Sequence, residues 1–332
     1  MNTLFNKEAF DWDLIADQQF LNLEEFSDSI RGWDFELHQL TPGKSSIELL
    51  QLGRPEFMLS RFYFEQSYQQ GGSAPPDYLT FGLCEERVER STTPDGMVQQ
   101  DNILCFPSDR ELMAIIRPNF KGYTLSVSET LIAEVEESCG LQEISPRAGA
   151  AQQVRHCGRS EMREIRQALR HACCSLASIK KTANSTEIIH NLEFNLIRHL
   201  LQALAGSRPA DKLRLTCRKQ IVHQRVLGYI EANADKPITV LELAKASGCC
   251  VRTLEYLFRD CFDVTPKAYL NSRRLVGAQR ELVRSLPLNS TVSKIASRWG
   301  FWHMSQFATD YRRFFGELPS ATLKRTRGIK KC

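Results

Sequence analysis

The chain of 332 residues has no uninterrupted apolar run approaching the roughly 18 residues that a membrane span needs. Residues 1–17 are mixed and acidic, not basic and then apolar as a secretory leader is. A cytoplasmic protein without a membrane anchor is expected. None of the 11 cysteines forms a C-x-x-C pair, and Cys173 with Cys174 and Cys249 with Cys250 are direct neighbours. Neither a zinc site nor a dithiol redox motif is indicated, and the thiols are expected to be reduced and mostly buried. No histidine lies between His38 and His156, so neighbouring strands there lack the clustered imidazoles of a metalloenzyme. G-x-S-x-G, P-loop and G-x-G-x-x-G motifs are missing too, leaving acyl transfer and nucleotide chemistry without their usual supports. The reading is therefore of a protein that is not an enzyme and carries no metal or cofactor.

What the chain does have is enough apolar sequence for two globular domains, with 42% hydrophobic and 25% charged residues. Its formal charge of +4 hides an asymmetry. From residue 211 onward, 23 Lys and Arg face 10 Asp and Glu, whereas the first 210 residues carry 20 against 29. A basic end on a mildly acidic body is the electrostatic footprint of nucleic-acid binding, because bound phosphates release their counterions.

Short strands are read at 47–52, 57–64, 78–84, 102–106, 112–117 and 122–127. Turn signals at Gly71-Gly72, Pro75-Pro76, Pro94-Asp95-Gly96 and Pro118-Asn119 separate several of them. A β-barrel or sandwich follows, taken here as barrel-like and cupin-like. A short helix starts near Ser128. A second starts at Ser160, with Met162, Ile165, Leu169, Cys173 and Leu176 at helical spacing, and a third is capped by Asn184 with Glu187 three residues on. This third helix is apolar on more than one face, through Phe194, Ile197, Leu201 and Leu204, so it must be covered by its own domain or by a second copy. The run Gly206-Ser207-Arg208-Pro209 then breaks it. The overall expectation is α+β: a β-rich regulatory domain over 1–158, a helical support or dimerisation segment over 159–206, a linker over 207–219 and an all-α domain over 220–327.

Within the basic end the sequence repeats itself. Val240, Leu243, Ala244 and Gly248 recur 52 residues later as Val292, Ile295, Ala296 and Gly300, and Leu254, Phe258, Phe262, Pro266 and Leu270 recur 53 residues later as Phe307, Tyr311, Phe315, Pro319 and Leu323. Each unit reads as a short helix, a turn at a glycine and a second helix closed by Phe-x-x-x-Pro, which is the helix-turn-helix plan. Residues 266–286 are helical in pattern between them and would hold the two units about one DNA turn, ~34 Å, apart.

Ile295-Ala296, Gly300-Phe301, Ser305, Phe307, Tyr311, Phe315-Gly316 and Pro319 make this end closely similar to the AraC/XylS family of bacterial regulators, over about 105 residues. Within that family the run Trp299-Gly300-Phe301-Trp302-His303, with Gln306-Phe307-Ala308-Thr309-Asp310-Tyr311, resembles regulators of ethanolamine-utilisation operons. Three residues depart from the pattern: Cys250 and Trp302 stand where a capping residue is usual, and Asp263 replaces a glycine. The resemblance implies a double helix-turn-helix domain on promoter DNA, recruitment or exclusion of RNA polymerase, with activation the commoner role, and an effector-binding, dimerising N-terminal domain.

Turning Leu254, Leu257, Phe258 and Cys261 inward leaves Arg252, Glu255, Tyr256 and Arg259 outward on the first reading helix. Burying Phe307, Tyr311, Phe314 and Phe315 leaves Ser305, Thr309 and Arg312 outward on the second, with Trp302, Gln306 and Arg313 at its edges. Arg252, Glu255, Tyr256, Arg259, Trp302, Ser305, Gln306 and Thr309 are the candidate base readers. Lys294, Arg312 and Arg313 are the candidate phosphate contacts. The bland alternative is a solvated surface, with Glu255 and Arg259 paired at i, i+4. Phe62, Phe64, Tyr78, Phe81 and Phe106 are candidates for an apolar effector pocket, against a reading of the same rings as plain core. A domain that only binds protein or its own copy, or a cupin-type enzyme fused to a DNA-binding module, are the competing readings.

Overall fold

The structure is a computed structural model that describes residues 13–85, 91–93, 96–106, 113–141, 153–178, 185–210, 217–233, 236–284 and 291–329. The chain runs through β1 (Asp13–Phe20), α1 (Leu23–Ser29), β2 (Asp34–Gln39), β3 (Ile47–Arg54), β4 (Phe57–Phe64), β5 (Tyr68–Ser73) and β6 (Tyr78–Cys84). Next come β7 (Ser91–Thr93), β8 (Gly96–Val98), β9 (Asn102–Phe106), β10 (Ala114–Ile116), β11 (Phe120–Ser128), α2 (Glu129–Cys139) and β12 (Gln153–His156). It continues with α3 (Arg159–Ser178), α4 (Ser185–Ala205), β13 (Arg208–Pro209), α5 (Cys217–Ala232), α6 (Val240–Ser247) and α7 (Val251–Phe262). It ends with α8 (Pro266–Arg284), α9 (Val292–Arg298), α10 (Met304–Phe315) and α11 (Pro319–Ile329). Two compact units result: Met1–Glu36, Ser46–Glu65 and Gln70–Leu213 form the first, and Leu37–Ser45, Gln66–Gln69 and Arg214–Cys332 the second.

The strands form an 8-stranded sheet in the order β1-β3-β4-β11-β6-β9-β12-β13 and a 5-stranded sheet in the order β2-β5-β10-β7-β8. The expected barrel is therefore corrected to an open sheet: β1 and β13 end the larger sheet without pairing to each other, and β13 has only two residues. Rings, not ladder hydrogen bonds, join the sheets, with Phe35 of β2 meeting Phe62 of β4 edge-on at 6.4 Å between centroids. β1, β2, β5, β7, β8, β12 and β13 have no counterpart among the strands read from the sequence. On the other face of the large sheet, Leu79, Phe81, Leu83, Leu125 and Val127 pack with Met162, Ile165 and Leu169 of α3 and Leu196, Leu200 and Leu201 of α4. α4 thus has most of its apolar surface covered within its own unit, including Ile197, Leu201 and Leu204, while Ile188 and Phe194 are exposed. The cap expected at Asn184 lies outside the described residues.

One buried ion pair ties sheet to helix. Arg54 at the end of β3 donates from Nε to Glu193 Oε1 at 2.7 Å and from Nη2 to Glu193 Oε2 at 2.8 Å, both side chains being almost wholly buried. Burial alone would lower the Arg54 pKa, but the hydrogen bonds and charge of Glu193 outweigh it and hold it above the ordinary arginine range. Removing Glu193 leaves Arg54 its contact with the half-exposed Glu56 at 2.5 Å, and breaking the buried pair costs about 3 kcal/mol, the low end for such pairs. Glu193→Ala should lower the denaturation midpoint of the first unit accordingly; urea titration reads this, and a loss below ~1 kcal/mol contradicts the bidentate contact.

Candidate nucleic-acid interface

The second unit builds its site on two short helix pairs. α6 starts at Thr239, whose hydroxyl accepts from the Glu242 backbone N–H while the Glu242 carboxylate accepts from the Thr239 backbone, a capping box. Those hydrogen bonds hold the Glu242 carboxyl below its ordinary range. α9 starts the same way at Thr291, whose hydroxyl accepts from Lys294 N–H. Each helix ends on a turn whose glycine is left-handed, φ 68° at Gly248 and 75° at Gly300, a conformation in which a side chain would be strained. Asp263, where the sequence departs from glycine, also adopts φ 59° to close α7. Aspartate is one of the few non-glycine residues that does so at modest cost.

The helices that follow are amphipathic. α7 buries Leu254, Leu257, Phe258, Cys261 and Phe262, and α10 buries Phe307, Tyr311, Phe314 and Phe315. Tyr311 is fixed by its hydroxyl contact to Thr322 of α11 at 2.9 Å. The outward faces carry every base-reading candidate: Arg252, Glu255, Tyr256, Arg259, Trp302, Ser305, Gln306 and Thr309 are all exposed. Lys294, Arg312 and Arg313 are exposed as well. Trp302 is 75% and Tyr256 51% exposed, large apolar surface left for a partner. The two sets lie on separate helices, four residues on α7 and the rest on α10 and the ends of α9 and its turn.

Several of these groups hold one another in place. Arg252 stacks its guanidinium 5.8 Å from the Tyr256 ring centroid and donates to its hydroxyl at 3.4 Å. Gln306 Nε2 donates to Asp310 at 2.9 Å, and Thr309 donates to the Ser305 carbonyl at 2.9 Å. Gln306 must release Asp310 before its amide can meet a base. Glu255 and Arg259 make no ion pair within 4 Å among the described residues.

Sequence reasoning misplaced one cap and did not name two exposed residues beside the candidates. The N-cap of α10 is His303, not Trp302, and neither it nor Cys250 caps its helix with a side-chain hydrogen bond to the backbone. Instead Cys250 meets the Thr253 hydroxyl at 3.2 Å, and this contact, with the free backbone N–H groups of the first turn, lowers the thiol pKa. His303 and Thr253 are exposed in the first turns of the two outward faces. The one-residue insertion after Gly300, which lengthens the repeat offset from 52 to 53 and so matches Cys250 with position 303, was the signal available for His303.

α8 joins the pairs as one helix of 19 residues, about 28 Å long at 1.5 Å per residue. It reaches the second turn through Arg274, whose guanidinium lies 5.0 Å from the Phe301 centroid. Burial lowers the Arg274 pKa, partly offset by Asp310.

In the first unit, a pocket lies between the two sheets. Phe62, Phe64 and Phe106 line it, together with Trp33, Phe35 and Phe120. Phe81 does not: it is fully buried on the helix-facing side of β6. Tyr78 sits at the end of β6, where its hydroxyl donates to the Pro55 carbonyl. Among the described residues, no group of three or more His, Cys, Asp or Glu is placed to hold a metal ion. No disulfide joins the described cysteines there, and burial pushes the Cys84 and Cys105 thiols up to about 12. No described helix is long and apolar enough to cross a membrane.

Two amphipathic helices, each preceded by a capped helix and a glycine turn and joined by one rod, define a double helix-turn-helix unit. Residues 243–325 match the family described as "Helix-turn-helix domain". Over 96 residues the chain is 38% identical to the "Probable thc operon regulatory protein" of Rhodococcus erythropolis, covering 29% of each chain. Over 102 residues it is 36% identical to "XylDLEGF operon transcriptional activator 1" of Pseudomonas putida, covering 31% of each. A solved structure of a probable AraC family transcriptional regulator from Rhodopseudomonas palustris CGA009 is 35% identical, with 32% of this chain and 96% of that one covered and a TM-score of 0.29. The chain thus spans about a third of the length of the two curated relatives it matches.

Proposed function

We propose that this protein is a sequence-specific transcription regulator of the AraC/XylS type, an activator of a bacterial operon. α7 and α10 lie in successive major grooves. Arg252, Glu255, Tyr256 and Arg259 read one half-site, and Trp302, Ser305, Gln306 and Thr309 read the other. Lys294, Arg312 and Arg313 hold phosphates. The observation that carries this reading is the pairing of buried and exposed faces on α7 and α10: in both copies the apolar residues are consumed by the core, and the polar and aromatic ones are left facing solvent. The matched relatives are described as an operon regulatory protein and an operon transcriptional activator, which supports activation; RNA polymerase is a proposed partner. A second copy of the chain is a further proposed partner.

The pocket between the sheets is proposed as the effector site, with Phe62, Phe64 and Phe106 in its walls. Occupancy there changes the affinity of the second unit for its operator. The likeness of Trp299–Trp302 and its neighbours to ethanolamine-operon regulators makes such an operon one candidate target. Selection of bound fragments from genomic DNA, followed by a reporter fused to the recovered promoters, tests the proposal. Enrichment of a few promoters whose expression depends on the protein is expected; recovery of fragments at random contradicts it.

A further inference from the structure

The pocket also constrains what enters it, an inference that rests on the sensor reading above. Its floor is bare backbone. A Cβ on Gly82 would lie 2.9 Å from the Phe106 ring, and one on Gly122 would lie 2.8 Å from the Phe120 ring. Glycines on adjacent strands β6 and β11 therefore let aromatic rings approach the sheet. Trp33 closes one wall, edge-on to Phe106 at 5.3 Å. Two polar side chains face this apolar space: Gln70 is 7% and Thr124 9% exposed, and neither has a side-chain hydrogen-bond partner among the described residues. An amide and a hydroxyl that face the pocket can pair with a polar group on a ligand, at the worth of an ordinary hydrogen bond.

No Asp, Glu, Lys, Arg or His lines the pocket. The buried Arg166, which bonds the carbonyl of the lining residue Cys84, also donates to the carbonyl of Gln100. A carboxylate or ammonium brought into these walls would lose its hydration with no charge to replace it. The free volume, about 70 Å³, exceeds the ~10–15 Å³ of a single water and falls short of the ~150 Å³ cavity that takes benzene. Admitting one ring therefore requires Phe106 or Phe120, both only half-buried, to give way.

We propose that the effector is an uncharged, planar molecule of about one ring, bearing an amide or hydroxyl that pairs with Gln70 and Thr124. Charge is the discriminating property, because a neutral amide satisfies the open Gln70 amide while a carboxylate of the same shape brings a charge that nothing in the wall compensates.

The test uses the full chain and two probes of nearly equal shape, benzamide and benzoate, titrated calorimetrically at pH 7.5. Benzamide should bind at least about tenfold more tightly than benzoate. Gln70→Leu, which keeps the volume, should weaken benzamide about threefold to tenfold, the worth of one hydrogen bond. Gly82→Val should abolish binding by filling the floor, and circular dichroism checks that this variant folds; Gln70→Leu carries the test if it does not. Equal affinity for both probes, binding of neither, or benzamide binding indifferent to Gln70→Leu overturns the proposal. A thermal-shift screen that finds a charged metabolite whose binding Gly82→Val blocks would sink the neutral class and leave the sensor reading standing.

Discussion

Gly277→Val should abolish protection of one half-site while the other remains occupied, and Gly277→Ala should already destabilise the second unit. Helix propensity predicts the reverse, since replacing a glycine inside a helix by alanine gains about 0.5–1 kcal/mol. Gly277, however, is buried in the middle of α8, and a Cβ there would land inside the indole ring of Trp299. That ring has little freedom to retreat. Its Nε1 donates to Glu281 at 2.9 Å, and the same carboxylate receives Arg298 of α9. Trp299 also packs against the core built from Leu275, Ile295, Phe301, Phe307 and Tyr311. Overpacking of this kind costs about 1–3 kcal/mol, more than the propensity gain, so the clash decides the sign. The strain falls where α8 meets α9, leaving the α6–α7 pair intact. Urea denaturation and footprinting of the full chain check both parts; a Gly277→Ala variant more stable than the parent contradicts the close approach.

The second large effect separates reading from holding. Arg252 stands exposed on the outer face of α7, stacked on Tyr256 and bonded to its hydroxyl, a contact it must give up to pair two donors with a guanine edge. Arg252→Ala should cost about 1–3 kcal/mol of specific binding and relax the preference at one base pair. Arg313 lies in the last turn of α10, at the edge of its exposed face. Arg313→Ala should weaken all sequences alike and reduce the slope of log K against log salt by about 1. Gel-shift titrations over a salt series distinguish them. Equal losses on specific and random DNA for Arg252→Ala would remove it from the reading set.

The second unit was legible because its sequence obeys one period. In α7 each residue is either buried or exposed, and in α10 all but Met304, Ala308 and Asp310 are, so 100° per residue assigns both faces, and Asp263 still closes α7 because its backbone tolerates φ 59°. The first unit was harder for a physical reason. Both faces of β6 are buried, with Leu79, Phe81 and Leu83 toward the helices and Gly82 and Cys84 toward the pocket, so alternation of apolar and polar residues was not there to say which way Phe81 turns. β5 was read as a turn because of Gly71-Gly72. It is a strand in which Gly72, at φ 112°, yields to the Asp34 carbonyl of β2, a close backbone approach that glycine marks in strands as well as turns. β1, Asp-Leu-Ile-Ala-Asp-Gln-Gln-Phe, is half polar and exposes Leu14, the pattern of an edge strand with little hydrophobic signal. Openness of the large sheet was equally hidden, since local periodicity does not say which strand ends pair.

The claim at the centre of this account is that α8 acts as a rigid rod holding α7 and α10 at a fixed separation on one face of the duplex. Binding to a selected operator, and to versions with five or ten base pairs inserted between the half-sites, measures this directly. A rod requires that both insertions reduce affinity to that of a single half-site, because 19 helical residues neither rotate by half a turn nor stretch by a whole one. Undiminished binding to either inserted operator would contradict it.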